Sequence, residues 1–92
     1  MSTKEKVSEE LLLDEETVKQ NEIVLFNDEV NTFDFVIETL EKVCNHSSEQ
    51  AEQCTMIIHY NGKCSVKEGS EKKLKPLWEA VLDRGISAEI QD

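Results

Sequence analysis

Ile23, Val24, Leu25 and Phe26 form an unbroken apolar run rich in β-branched and aromatic side chains. Successive side chains of a strand point to opposite faces, so this run is apolar on both, as in a strand buried beneath helices. The rest of the chain therefore has to cover it. Ninety-two residues normally make one domain with a modest core of a few packed elements, too small for the broad cleft of a large enzyme. The covering elements are legible downstream, where the apolar period changes from 2 to about 3.6.

Asn27, Asp28, Glu29 and Asn31 are turn and cap formers. Either Asn31 or Thr32 can cap a helix on which Phe33, Val36, Ile37, Leu40 and Val43 recur at three-four spacing, running to about Cys44. Asn45 and His46 break that pattern. Ser47 followed by Gln50 has the spacing of a capping box and opens a second helix through Ala51, Cys54, Ile57 and Ile58, which Gly62 stops. Lys63 to Lys67 alternate polar and apolar around Cys64 and Val66, which predicts an edge strand with one wet face; Gly69 and Ser70 then turn the chain. Leu74, Leu77, Trp78, Val81 and Leu82 indicate a third helix stopped by Gly85. Proline is tolerated in a first turn and costly deeper in, so Pro76 places the regular helix start close to Lys75 and Pro76, with Glu71 to Leu74 as a looser lead-in. Ile86, Ala88 and Ile90 alternate as a final strand. The order β-α-α-β-α-β predicts an α+β fold in which the single Trp and three Phe fasten helices against one face of a small sheet.

Residues 1 to about 20 are dominated by Lys, Glu, Ser and Thr apart from Leu11, Leu12 and Leu13, a composition that rarely forms a core alone. Residues 1–21 are expected to be a flexible acidic arm, and residues 22–92 the domain, beginning near Glu22. The leucine triplet could form a short helix or a docking motif when a partner is present.

Ten basic residues against twenty acidic ones give a net charge of −10, the wrong sign for neutralising phosphates or meeting anionic membranes. No apolar run approaches the roughly 18 to 20 residues of a membrane span, and the opening MSTKEKVSEE lacks a signal peptide's apolar stretch. The expectation is a cytoplasmic monomer that binds neither nucleic acid nor membrane. Cys44, Cys54 and Cys64 are odd in number and ten apart, without the CxxC pairing of a zinc site or the density of a disulfide scaffold, so they read as reduced thiols. Cys44, His46 and Cys54 lack a fourth ligand and tight spacing, and no metal or other cofactor is expected.

Two segments bear on function: NDEVNTFDFV, Asn27 to Val36, and TMIIHYNGK, Thr55 to Lys63. The first is an acidic turn feeding a helix. The second places Thr55, Ile58 and His59 on one helical face. Such acceptors beside an apolar hollow can hold an ammonium group and its side chain. Each residue also has a plainer use: Asn27 and Asp28 suit any turn, His59 complements a helix C-terminus, and Val36, Ile58 and Ile86 suit an ordinary core. Only a concave surface beside them would separate the two readings.

The apolar strand followed by Asn27 and Asp28, the helix after a short turn, and the phrase Ile58-His59-Tyr60-Asn61-Gly62-Lys63 resemble the ClpS family over residues 22 to 91. That family consists of adaptors that bring N-end-rule substrates to the Clp AAA+ protease. The resemblance implies three helices on a three-stranded antiparallel sheet. It also implies a protein that is not an enzyme but binds the first residue of a peptide. The α-ammonium would meet the Asn27 amide oxygen, the Asp28 carboxylate and an unprotonated nitrogen of His59. The side-chain pocket would be lined by Val36, Thr55, Ile58 and Ile86, with Asn31, Thr32 and Phe33 at its rim. Leu, Phe, Tyr and Trp would be the guests, and a β-branched Val or Ile would strike the wall. The implied partners are a Clp AAA+ ATPase of ClpA or ClpC type and substrate proteins with a free, bulky hydrophobic N-terminus. This chain departs from many relatives at Thr32, often proline; at Phe33, often a gatekeeping methionine; at Thr55, commonly apolar; and at Glu29, often a second aspartate.

The same element order resembles the C-terminal domain of the bacterial ribosomal stalk protein, which would make the chain an interaction module without an amine pocket, since fold alone never fixes function. An enzyme would need Cys54 or Cys64 paired with His59. Five-residue spacing along one helix points Cys54 and His59 apart, and nothing marks an oxyanion hole.

Overall fold

A computed structural model describes residues 20–92; the arm expected over residues 1–21, with Leu11 to Leu13, falls outside this range except for its last two positions. The elements are β1 (Gln20–Phe26), α1 (Phe33–Cys44), α2 (Ser48–Asn61), β2 (Lys63–Ser70), α3 (Glu71–Asp83) and β3 (Ala88–Gln91). The sheet has the order β2-β1-β3 with both pairings antiparallel, giving the expected α+β architecture of three helices and three strands.

The run that demanded cover is the central strand, with Ile23, Val24 and Leu25 all buried. Ile23 and Leu25 enter a core with Leu40 and Cys44 of α1, Ala51 and Ile58 of α2, Val66 of β2, and Leu74 and Val81 of α3. Ile23, Leu25 and Leu40 are fully buried, a burial worth about 1.5–3 kcal/mol for each side chain. Trp78 fastens α3 to β3 by donating its indole N–H to the Ala88 carbonyl at 2.9 Å. The aromatic expectation fails at Phe33, which is 40% exposed. Phe35 instead carries the Arg84 guanidinium over its ring at 4.9 Å, and Arg84 Nε donates to Thr39 Oγ1 at 2.8 Å, tying the end of α3 to α1.

Local capping sets most boundaries. Thr32, rather than Asn31, caps α1 by accepting the Phe35 N–H at 3.1 Å, and Asn45 ends that helix in the left-handed region with φ 59°. The Ser47–Gln50 capping box is complete in both directions, and Gly62 closes α2 at φ 95°.

Tertiary pairing moves the others. β1 begins at Gln20, ahead of the apolar run Ile23 to Phe26 from which the strand was read, because Gln20 pairs with Ser70 and Asn21 with Gly69. The same pairing carries β2 through Gly69 and Ser70, where a turn was expected. Ser70 then caps α3 directly, its Oγ accepting the Lys73 N–H at 3.3 Å, so the helix starts at Glu71 and not near Lys75 and Pro76. Pro76 lies inside the helix, and the carbonyl it leaves without an intrahelical partner belongs to Lys72, an exposed residue where solvent can satisfy it. Ile86 is buried just ahead of β3 rather than within it.

A register shift between Ile23 and Val24 leaves Val66 of β2 as the extra residue of a bulge. Its carbonyl accepts the His46 Nε2–H at 2.7 Å, which holds the α1–α2 connection against the sheet. No group of three or more His, Cys, Asp or Glu among the described residues is placed to hold a metal ion. No described helix is long and apolar enough to cross a membrane.

Candidate functional site: a hollow where three connections meet

The chain leaves β1 between two other connections and is bonded to both. Phe26 N–H donates to the Ser87 carbonyl at 3.0 Å, in the segment joining α3 to β3, and Asn27 N–H donates to the Gly62 carbonyl at 2.9 Å, at the end of α2. Asp28 then folds the loop on itself as an Asx turn. Its Oδ1 accepts the backbone N–H groups of Val30 and Asn31 at 3.1 and 3.2 Å and the Asn31 amide at 2.9 Å. Asn31 Nδ2 also donates to the Gly85 carbonyl at 3.0 Å, and Ser87 Oγ lies 3.5 Å from Asp28 Oδ2. The loop is thus fixed to the turn before β3 as well as to α2.

Between these connections lies a concavity of about 360 Å³. Every residue that the sequence nominated lines it: Asn27 and Asp28; Asn31, Thr32 and Phe33; Val36; Thr55, Ile58 and His59; and Ile86. The three-four spacing of Thr55, Ile58 and His59 puts one face of α2 along the wall. Thr55, Ile58 and Ile86 are buried and Val36 is half-buried, whereas Asn27, Phe33 and His59 are exposed at the mouth. The hollow is therefore apolar at depth and polar at its opening. Its volume lies within the ~300–1,000 Å³ typical of small-ligand sites.

The mouth is acidic, because the segment Asn27 to Asp34 carries Asp28, Glu29 and Asp34 and no basic residue. A cation is favoured there. The His59 ring meets Phe33 edge-on at 5.1 Å and Tyr60 edge-on at 4.8 Å, which sets its plane without occupying either nitrogen. Among the described residues, neither the Asn27 side-chain amide nor the His59 ring has a hydrogen-bond partner; Asp28, by contrast, spends much of its acceptor capacity on the turn.

Leu25, Phe26 and Glu29 also line the concavity and were not nominated. Leu25 and Phe26 read from the sequence as strand residues alone, yet they directly precede Asn27, and that adjacency is the signal for their place in the wall. None of the three cysteines lines it. Burial pushes the Cys44 thiol up to about 11, and burial together with the neighbouring Cys54 pushes the Cys64 thiol up to about 12. Both shifts are opposite to those that make a thiolate nucleophile.

The sequence model of the ClpS family, ATP-dependent Clp protease adaptor proteins, matches residues 16–89. The ATP-dependent Clp protease adapter protein ClpS of Campylobacter jejuni is 43% identical over 44 residues, covering 48% of this chain and 46% of that protein. The ClpS of Cronobacter sakazakii is 37% identical over 41 residues, covering 45% of this chain and 39% of that protein. The matches thus span less than half the length of these relatives. The structure of Agrobacterium tumefaciens ClpS2 bound to L-phenylalaninamide superposes with a TM-score of 0.63, at 21% identity, over 79% of this chain and 98% of that one, a likeness of fold. Since the family match runs over most of the sequence, the chain belongs to the ClpS family of Clp protease adaptor proteins.

Proposed function

We propose that this protein is an adaptor that captures other proteins by a free, bulky hydrophobic first residue and delivers them to a Clp AAA+ protease. The observation that carries this reading is the convergence of Asn27, Asp28 and His59 at the mouth of a hollow whose depth is formed by Val36, Thr55, Ile58 and Ile86. The ligand of ClpS2, L-phenylalaninamide, joins a free amine to a benzyl side chain, the two features that such a site would read.

An α-ammonium group has three donors and needs acceptors. Asn27 offers its amide oxygen. Asp28 contributes chiefly its charge and Oδ2, since Oδ1 already takes three hydrogen bonds from the loop. His59 accepts only while a ring nitrogen is unprotonated. The acidic mouth adds attraction for the cation, and the apolar interior gains about 1.5–3 kcal/mol from burying the first side chain. A branched β-carbon would meet the wall near the amine, so Leu, Phe, Tyr and Trp are the guests and Val and Ile are not. Nothing in this scheme breaks a bond: the adaptor, acting as a monomer, holds its ligand while a ClpA- or ClpC-type ATPase unfolds it.

Reconstituted degradation tests the proposal. With the cognate Clp ATPase and peptidase, the chain should speed degradation of a reporter beginning with Phe and leave one beginning with Ala unchanged. Equal effects on both reporters would contradict it.

A further inference from the structure

The depth of the pocket is walled by Val36, Ile58 and Ile86, and it carries one buried hydroxyl. Thr55 is 3% exposed, and its Oγ1–H donates to the Ala51 carbonyl one helical turn back, at 2.8 Å. A hydroxyl has one donor and two acceptor lone pairs. Here the donor is committed inside α2, and no group among the described residues donates to Oγ1 in return. The Thr32 hydroxyl at the rim differs: it is exposed, and its oxygen already accepts the Phe35 N–H. Valine would fill the Thr55 position with nearly the same volume, so what threonine adds to this wall is an acceptor in apolar surroundings. Such an acceptor discriminates between guests of one shape, because burying a polar atom costs free energy unless it is paired.

We infer that Thr55 is a specificity-determining residue whose Oγ1 accepts a hydrogen bond from the tip of an aromatic first residue. The pocket thereby favours tyrosine, whose side chain ends in a phenol donor, over phenylalanine. This rests on the amine-pocket reading above and adds the chemical class of its preferred guest. Asn27 and His59 are exposed at the mouth and Thr55 is a buried lining residue of the same hollow, so a ring anchored by its ammonium at the mouth would be directed inward, towards the wall that Thr55 shares with Ile58.

The test uses two free-amine peptides identical except for Tyr or Phe at the first position, titrated into the full chain and into Thr55→Val and Thr55→Ser. The Tyr-to-Phe affinity ratio should fall roughly 3- to 10-fold in Thr55→Val, the range set by one neutral hydrogen bond. The Phe peptide should bind that variant at least as well as the wild type, and Thr55→Ser should keep the wild-type ratio. An unchanged ratio in Thr55→Val, with binding still dependent on the free amine, would overturn the role of Thr55 and leave the amine site standing. Binding of neither peptide to the wild type would overturn both.

Discussion

On the proposed reading, His59 presents a lone pair at a mouth that Asp28, Glu29 and Asp34 make acidic. Removing the ring removes that acceptor, so His59→Ala should bind a peptide with a free bulky first residue roughly 10-fold more weakly, on the scale of one hydrogen bond to a charged group. Unchanged affinity in the variant would remove His59 from the amine site. Asp28 is the residue whose role the sequence left least resolved. A turn former and an ammonium acceptor have the same side chain, and the loop shows the carboxylate largely engaged as the former. The cysteines give a separate prediction. Their folded pKa values, about 11 for Cys44 and about 12 for Cys64, lie above the ordinary value of 9.0. In that window the unfolded chain loses thiol protons that the folded one keeps, so the contribution is complete below pH 9 and is lost as pH rises towards those values. Urea midpoints should therefore drop above pH 9, and less so in Cys64→Ala; an unchanged drop in that variant would contradict the assignment.

Among the elements, those closed by their own side chains were legible and those closed by a distant partner were not. The Ser47–Gln50 box, the Thr32 cap and Gly62 act within a few residues, and the structure has all three. Gly69 and Ser70 read as a turn because local chemistry favours one, yet pairing with Gln20 and Asn21 keeps them in β2, and the Ser70 cap together with the burial of Leu74 and Val81 supports α3 on both sides of Pro76. Gly62, just ahead of β2, and Gly69, within it, should accordingly respond differently to substitution. A Cβ on Gly62 meets nothing within 4 Å, so Gly62→Ala incurs only the left-handed backbone at φ 95°, about 1–2 kcal/mol. Gly69→Ala places its Cβ 3.6 Å from Leu74 Cδ2, an ordinary contact, and should be tolerated far better. Urea denaturation of the two variants checks the order. Gly62→Ala should also weaken peptide binding, because the Gly62 carbonyl holds the Asn27 N–H at 2.9 Å; equal stability of the two variants would contradict this account.

For the whole molecule, the decisive property is one that no single segment carries. Val36, Ile58 and Ile86 have the spacing of ordinary core residues, and only the meeting of the loop after β1, the end of α2 and the turn before β3 leaves a hollow beside them. Periodicity reports which side chains face inward, not whether packing closes over them, so the nominated residues were legible as a set while their concavity was not. The acidic balance of the chain suits capture of a positively charged chain end at this mouth. One comparison tests that claim most directly: the affinity of a peptide beginning with Phe against the same peptide acetylated at its amino end. The account predicts saturable binding of the free peptide and its loss on acetylation. Equal affinity for both would show that the hollow recognises an apolar side chain alone and would contradict the amine site of Asn27, Asp28 and His59.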